Sequence, residues 1–363
     1  MNLLKTSVLN GVAVLIKTAT MFLLNKILAV YVGPAGYAAI GQFQNFIQMI
    51  TTFAGSAVNT AVVKYTAEYY TDEKKQRIVW QTAGSIVLIF SFIFTFLVLI
   101  FHQPLSFWIF KTGEYGSILI WFAVFLIFFN LNALLLAILN GKKEILKLVF
   151  ANIAGSLFSL IVTGLLAVKL GLYGALVALC IYQSLNFIVT LYLSYRLEWF
   201  SFSYFFGKID SDVARKFLAF AAMALVSAIC VPLSQMVIRS YLVHEYNATY
   251  AGYWEAMIRL STAYLMLVTT TLSVYYLPRL SELSNIQEIK KEVYLGYKFI
   301  FPLALIGGIL VYFLKDWIIP LLFSSAFLPM RELFLWQMIG DSLKIGSWIL
   351  AYLMLGKAMT KLF

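Results

Sequence analysis

Six charged residues stand where charge is costly. Glu255 and Arg259 are four apart within residues 251–280, an otherwise apolar stretch long enough to cross a bilayer. At about 100° per residue, Glu255, Arg259, Thr262, Met266, Thr270 and Ser273 share one side of a helix. A charge on such a helix normally faces a protein interior or water, so this stretch is expected to form one wall of a polar passage. Asp341 and Lys344, three apart in a later apolar stretch, are expected to pair in the same way. Lys17 sits near the middle of the first apolar stretch. Left against lipid it would cost between about 3 and more than 10 kcal/mol, so it should face a wet cavity or an anion. Lys26 lies on roughly the opposite side and nearer one surface, where snorkelling is an equal alternative. Each pair could merely neutralise charge for insertion. The functional reading leaves Arg259 and Lys344 available to a substrate phosphate.

A second polar stripe has no charge. Gly41, Gln42, Asn45, Gln48, Thr52, Ser56 and Asn59 fall within about 60° of one helical line. Several large amides exceed what helix packing needs, so a cavity lining is expected. Two shorter sets, Asn152–Ser156–Ser159–Thr163 and Gln183–Asn186–Thr190–Ser194, read better as interhelical hydrogen bonding. Catalytic patterns are lacking. There is no phosphate-binding GxxxxGK[ST] loop, and neither His102 nor His244 has metal-ligand spacing. No cofactor or metal is expected, and the chain does not read as an enzyme.

The elements that position these residues follow from composition. Hydrophobic residues make up 62% and charged residues 12% of the 363 positions, far from the soluble average of about 25% charged. The expected fold is an all-α polytopic membrane protein. About ten spans can be drawn, each near the roughly 20 residues a bilayer needs. They cover residues 7–32, 38–64, 79–101, 116–139, 148–168, 174–195, 217–241, 252–278, 297–319 and 333–355. Residues 281–292 read as a charged linker. With the N-terminus in the cytoplasm, most of the 27 Lys and Arg residues lie on that side. The opposite side receives Lys111, Lys169, Arg239, Lys315 and Arg331. The basic excess is therefore topology, and nucleic-acid binding is not needed to explain it. Cys180 and Cys230 both lie in apolar runs and say nothing of redox compartment.

A weak repeat has a period of about 215 residues, the mark of some transporter halves related by an axis along the membrane normal. AGY recurs at 35–37 and 251–253, Trp121 recurs as Trp336, and Gly141-Lys142 recurs as Gly356-Lys357. The repeat divides the chain into 1–200, a six-helix bundle, and 201–363, a second bundle that ends after its fourth helix. It predicts a twelve-span parent whose last two spans are missing here.

Three segments resemble Wzx-type flippases: KILAVYVGPAGYAAIGQFQNF at 26–46, GYWEAMIRLSTAYLMLVTTTLSVYYLPRLSEL at 252–283, and MRELFLWQMIGDSLKIGSWILAYLMLGKA at 330–358. These belong to the polysaccharide transporter branch of the multidrug/oligosaccharidyl-lipid/polysaccharide exporters. The likeness is greatest to those handling O-antigen and enterobacterial common antigen intermediates. It implies two six-helix bundles in a V, as in multidrug (MATE) exporters, around a cationic cavity. The implied activity is translocation of undecaprenyl-diphosphate-linked oligosaccharide to the periplasmic leaflet by alternating access. The implied location is the bacterial inner membrane. Membrane lipids, a polysaccharide polymerase and a chain-length regulator are the implied partners. Arg259 and Lys344 match positions associated with diphosphate binding, with Lys17 and Lys26 as further candidates. Where relatives often carry an acidic residue this chain has Thr262, so Glu255 or Asp341 would supply a coupling carboxylate.

Three other readings compete. A multidrug or small-solute antiporter would favour acidic cavity residues. A membrane polymerase would need a long outer loop rich in Arg or His. A non-transporting partner of an assembly complex would need no passage at all.

Overall fold

The computed structural model describes residues 3–272 and 285–356, with residues 276, 279, 280 and 283 between them. Side chains are described from residue 11 onward, except 219, 220, 222–225, 227, 267, 270, 271, 355 and 356. The side chain of Thr270 and all of Ser273 lie outside the described residues.

The described chain is helical, and strands are absent from it. Among the described residues, thirteen α-helices run in order: α1 Leu3–Tyr31, α2 Gly33–Phe53, α3 Asn59–Glu68, α4 Glu73–Ile100, α5 His102–Phe110, α6 Gly116–Gly141, α7 Ile145–Tyr195, α8 Ser211–Glu245, α9 Ala248–Thr271, α10 Ile286–Leu295, α11 Phe301–Phe313, α12 Lys315–Leu322 and α13 Phe334–Gly356. Five described helical stretches are long and apolar enough to cross a membrane, or six counting the bent pair of α2 and α3. The 51-residue α7 holds two of the expected spans, divided by a kink at Gly171 with φ 56°.

Residues 281–292 were expected as a linker. Instead residues 286–292 are helical, in α10, which runs through a π-helical turn, Gly296–Ile300, into α11. Asn285 starts this helix by accepting a hydrogen bond from the Gln287 amide at 2.9 Å. That N-cap satisfies a donor which a run of charges gives no hint of.

The chain forms two compact units, Met1–Ala248 and Thr249–Phe363. In the first, α7 contacts α1 and α6, and α8 contacts α2, α3 and α4. The repeat put the division near residue 200, ahead of α8. Contact with α2 is what brings α8 into the first unit.

The second span is not one straight helix. Gly55, at φ 141°, breaks it, and α2 and the following helical segment bend by 67°. A Cβ on Gly55 would lie 2.9 Å from Val87 Cγ2, so the turn needs both the backbone freedom and the small size of glycine. The break releases the Ala54 carbonyl from its helix. Ser91 Oγ donates to it at 3.0 Å and Asn130 Nδ2 at 3.4 Å. In lipid a freed carbonyl must find such partners within the protein.

One end of the first unit is closed by aromatic rings around a cation. Lys142 Nζ lies 5.3, 5.9 and 5.6 Å from the Tyr70, Trp80 and Trp199 ring centroids and donates to Gln76 Oε1 at 3.2 Å. Trp80 Nε1 donates to Thr66 Oγ1 at 2.9 Å. These contacts join the ends of α3, α4 and α6 to the loop after α7.

Candidate functional site

In the first unit the polar stripe divides among three tasks. Gln42, 6% exposed, accepts from Arg239 Nη1 at 2.7 Å and donates to Ser240 Oγ at 3.2 Å and to the Met236 carbonyl at 3.4 Å. Asn45 Nδ2 donates to Gln235 Oε1 at 3.2 Å. These residues form a polar seam between α2 and α8. Ser56 donates to Asn130 Oδ1 at 3.2 Å and belongs to the helix break. Gln48 is exposed and borders an open pocket. Thr52 donates to the Gln48 carbonyl of its own helix at 2.7 Å. Beyond the bend, Asn59 Oδ1 is buried without a hydrogen-bond partner among the described residues. The single helical line stops at Gly55.

Arg239 was counted on the outer side, near the end of the span at 217–241. It is 2% exposed within α8. A span-end count assigns a cation by its distance along the chain and ignores which way it faces. The spacing of Gln235 and Arg239, one helical turn apart, was the available signal. With Lys111 and Ser240, Arg239 lines a small pocket of about 90 Å³.

The second unit holds the embedded acids. Arg259 Nε donates to Glu255 Oε1 at 2.9 Å, the pairing expected at a spacing of four. Thr262 is exposed, and its Oγ1 donates to the Ile258 carbonyl at 2.8 Å. Asp341 does not pair with Lys344. The carboxylate is 2% exposed and accepts from Ser261 Oγ at 2.6 Å, Gln337 Nε2 at 3.0 Å and the Tyr264 hydroxyl. Lys344 is exposed, with Nζ 5.2 Å from the Trp348 ring centroid. Three residues apart, the two side chains diverge, one toward α9 and one outward. Charge-assisted hydrogen bonds from neutral donors can hold an ionised carboxylate without a cation. Ser261, Tyr264 and Gln337 were missed. Their signal is the i,i+3 spacing of the first two and the i,i+4 spacing of Gln337 with Asp341.

In α1, Lys17 is exposed and Lys26 is half-buried. Both shorter polar sets lie on α7. Ser156, Thr190 and Ser194 return their hydroxyls to carbonyls of α7 four residues back, whereas Gln183 borders the same pocket as Gln48. Among the described residues, no group of His, Cys, Asp and Glu could hold a metal ion.

Comparison with known proteins adds to this geometry. A family model described as "Polysaccharide biosynthesis protein" matches residues 3–284. The chain is 31% identical to the lipid III flippase of Escherichia coli (strain K12) over 371 aligned residues, covering 100% of this chain and 87% of the relative. The same figures hold for the lipid III flippase of Shigella flexneri. Among solved structures, an inward-facing multidrug resistance MATE family transporter of the MOP superfamily matches with a TM-score of 0.69 at 14% identity. That match covers 93% of this chain and 83% of that one. The MATE multidrug transporter DinF-BH matches with a TM-score of 0.60 at 16% identity, covering 98% of this chain and 84% of that one. At such identities the likeness establishes the fold alone. It is the expected all-α, multi-pass membrane architecture.

Proposed function

Because the chain belongs to the polysaccharide biosynthesis protein family, we propose that it flips undecaprenyl-diphosphate-linked oligosaccharide from the cytoplasmic to the periplasmic leaflet. The observation that carries this reading is the alignment of the whole chain with a lipid III flippase. The relevant pathway is O-antigen or a related surface polysaccharide. The membrane is the bacterial inner membrane, with the N-terminus in the cytoplasm. A polymerase and a chain-length regulator are the proposed protein partners.

The chemistry of the substrate fits the embedded groups. A lipid diphosphate concentrates negative charge, and cations attract it most strongly where the dielectric is low. Arg259 and Lys344 are the proposed diphosphate contacts, with Lys17 and Lys26 in support. Gln42, Asn45, Thr52, Asn59, Thr262 and Thr270 are proposed to line the polar path. Glu255 and Asp341 are the candidate coupling carboxylates. The Asp341 environment supports a role in coupling, because its partners are neutral hydroxyl and amide groups that can reorient when a proton or cation arrives. The halves proposed to move in alternating access are 1–200 and 201–363. On that division, the α2–α8 seam must loosen during the cycle.

The experiment replaces the chromosomal gene with Arg259→Ala or Lys344→Ala. Surface polysaccharide should fall and lipid-linked units should accumulate in the membrane fraction. Normal polysaccharide in both variants would remove these cations from the mechanism.

A further inference from the structure

We propose that the first unit contains a separate, uncharged sugar-binding subsite between α2, α6 and the second half of α7. The proposal rests on the flippase reading above and concerns where the oligosaccharide head is held. An open pocket of about 240 Å³ is bordered by Gln44, Gln48, Thr51, Phe129, Tyr182 and Gln183, with Ile47 and Leu179. Phe129 and Gln183 are near the middle of their helical segments, so the pocket opens at membrane depth.

The lining chemistry points to hydroxyl-rich, uncharged matter. Three amides and two hydroxyls converge, and among the described residues Asp, Glu, Lys and Arg are absent from the lining. Thr51 Oγ1 spends its proton on the carbonyls of Ile47 and Gln48, at 2.8 and 3.1 Å, and so presents lone pairs. Gln183 Nε2 donates to the Tyr182 hydroxyl at 3.0 Å. That leaves the phenolic proton and Gln183 Oε1 for a ligand. The Gln48 amide makes no side-chain hydrogen bond among the described residues. Amides that serve only to join helices bond across the interface, whereas Gln48 and Gln183 border open space. Phe129 adds an apolar surface suited to the C–H face of a pyranose ring. A diphosphate would find no cation here. The sugar and the phosphate are therefore recognised at different places on the chain.

The test uses purified protein in lipid nanodiscs and two probes. One is the lipid-linked oligosaccharide extracted from a source strain deleted for this gene. The other is bare undecaprenyl diphosphate. Wild-type protein should bind the glycosylated lipid more tightly. Gln48→Ala/Gln183→Ala should weaken that binding about tenfold, as loss of two hydrogen bonds predicts, and leave binding of the bare lipid unchanged. Should the double variant not purify, Tyr182→Phe keeps the ring and should weaken only the glycosylated lipid, about threefold. Equal wild-type affinity for the two lipids, or variant affinities that stay level with wild type, overturns the subsite and leaves the flippase reading standing. Wild-type binding of neither lipid overturns the flippase reading and the subsite with it.

Discussion

Arg239 holds the α2–α8 seam through Gln42. Truncating it to alanine leaves the Gln42 carbonyl oxygen buried without this charged donor, which should cost about 1–3 kcal/mol. The expected result is a lower thermal midpoint for the detergent-purified protein. Arg239→Lys should fall between, because an ammonium keeps the charge and loses the planar fork. A wild-type midpoint for Arg239→Ala would mean that the seam contributes nothing to stability. The seam shows what the residues alone do not reveal. Gln42 and Asn45 were legible as polar positions on one face, since helical spacing fixes that. Their partners were not, because Gln235 and Arg239 lie about 190 positions away and only packing brings them near. For Asp341 the nearest charge in sequence, Lys344, suggested a partner. Burial against α9 supplied hydroxyls instead, and it left the lysine outside.

Elements reveal a second kind of constraint. Gly84 on α4 meets the loop after α7 so closely that a Cβ would lie 2.7 Å from the Phe205 Cα and carbonyl oxygen. These are backbone atoms, and a side-chain rotation cannot relieve the clash. Gly84→Ala should therefore destabilise the first unit by about 1–3 kcal/mol, read as a lower unfolding midpoint. An unshifted midpoint would show that the loop yields freely. The same region includes the Trp80–Trp199 pair, with ring centroids 5.2 Å apart, and the Lys142 cage. Helix identities were readable from apolar runs, and α6 and α13 start and end close to their expected bounds. The break at Gly55 was not readable. Its sequence, Ala54-Gly55-Ser56, is compatible with a continuous membrane helix, and the close approach to Val87 becomes visible only when α4 is in place.

For the whole molecule, the distribution of cations predicts sidedness. In a cysteine-free background (Cys180→Ala, Cys230→Ala), Glu114→Cys should react with a membrane-impermeant maleimide in intact spheroplasts. Lys143→Cys should react only after permeabilisation. The reverse pattern would invert the proposed orientation. Sidedness depends on charge count along the chain and needs no tertiary contact, which is why sequence can address it. The sequence by itself determined the membrane class, most helix positions and the presence of embedded charges, because these follow from the cost of exposing polar groups to lipid. It also carried the family resemblance in three contiguous segments. Only the tertiary structure decided which embedded groups meet. It buried Arg239 against Gln42, gave Asp341 neutral partners, and gathered Gln48, Phe129 and Gln183 around one pocket. Spacing within a helix fixes the face a residue occupies, but the neighbour on that face comes from another helix, and packing selects it.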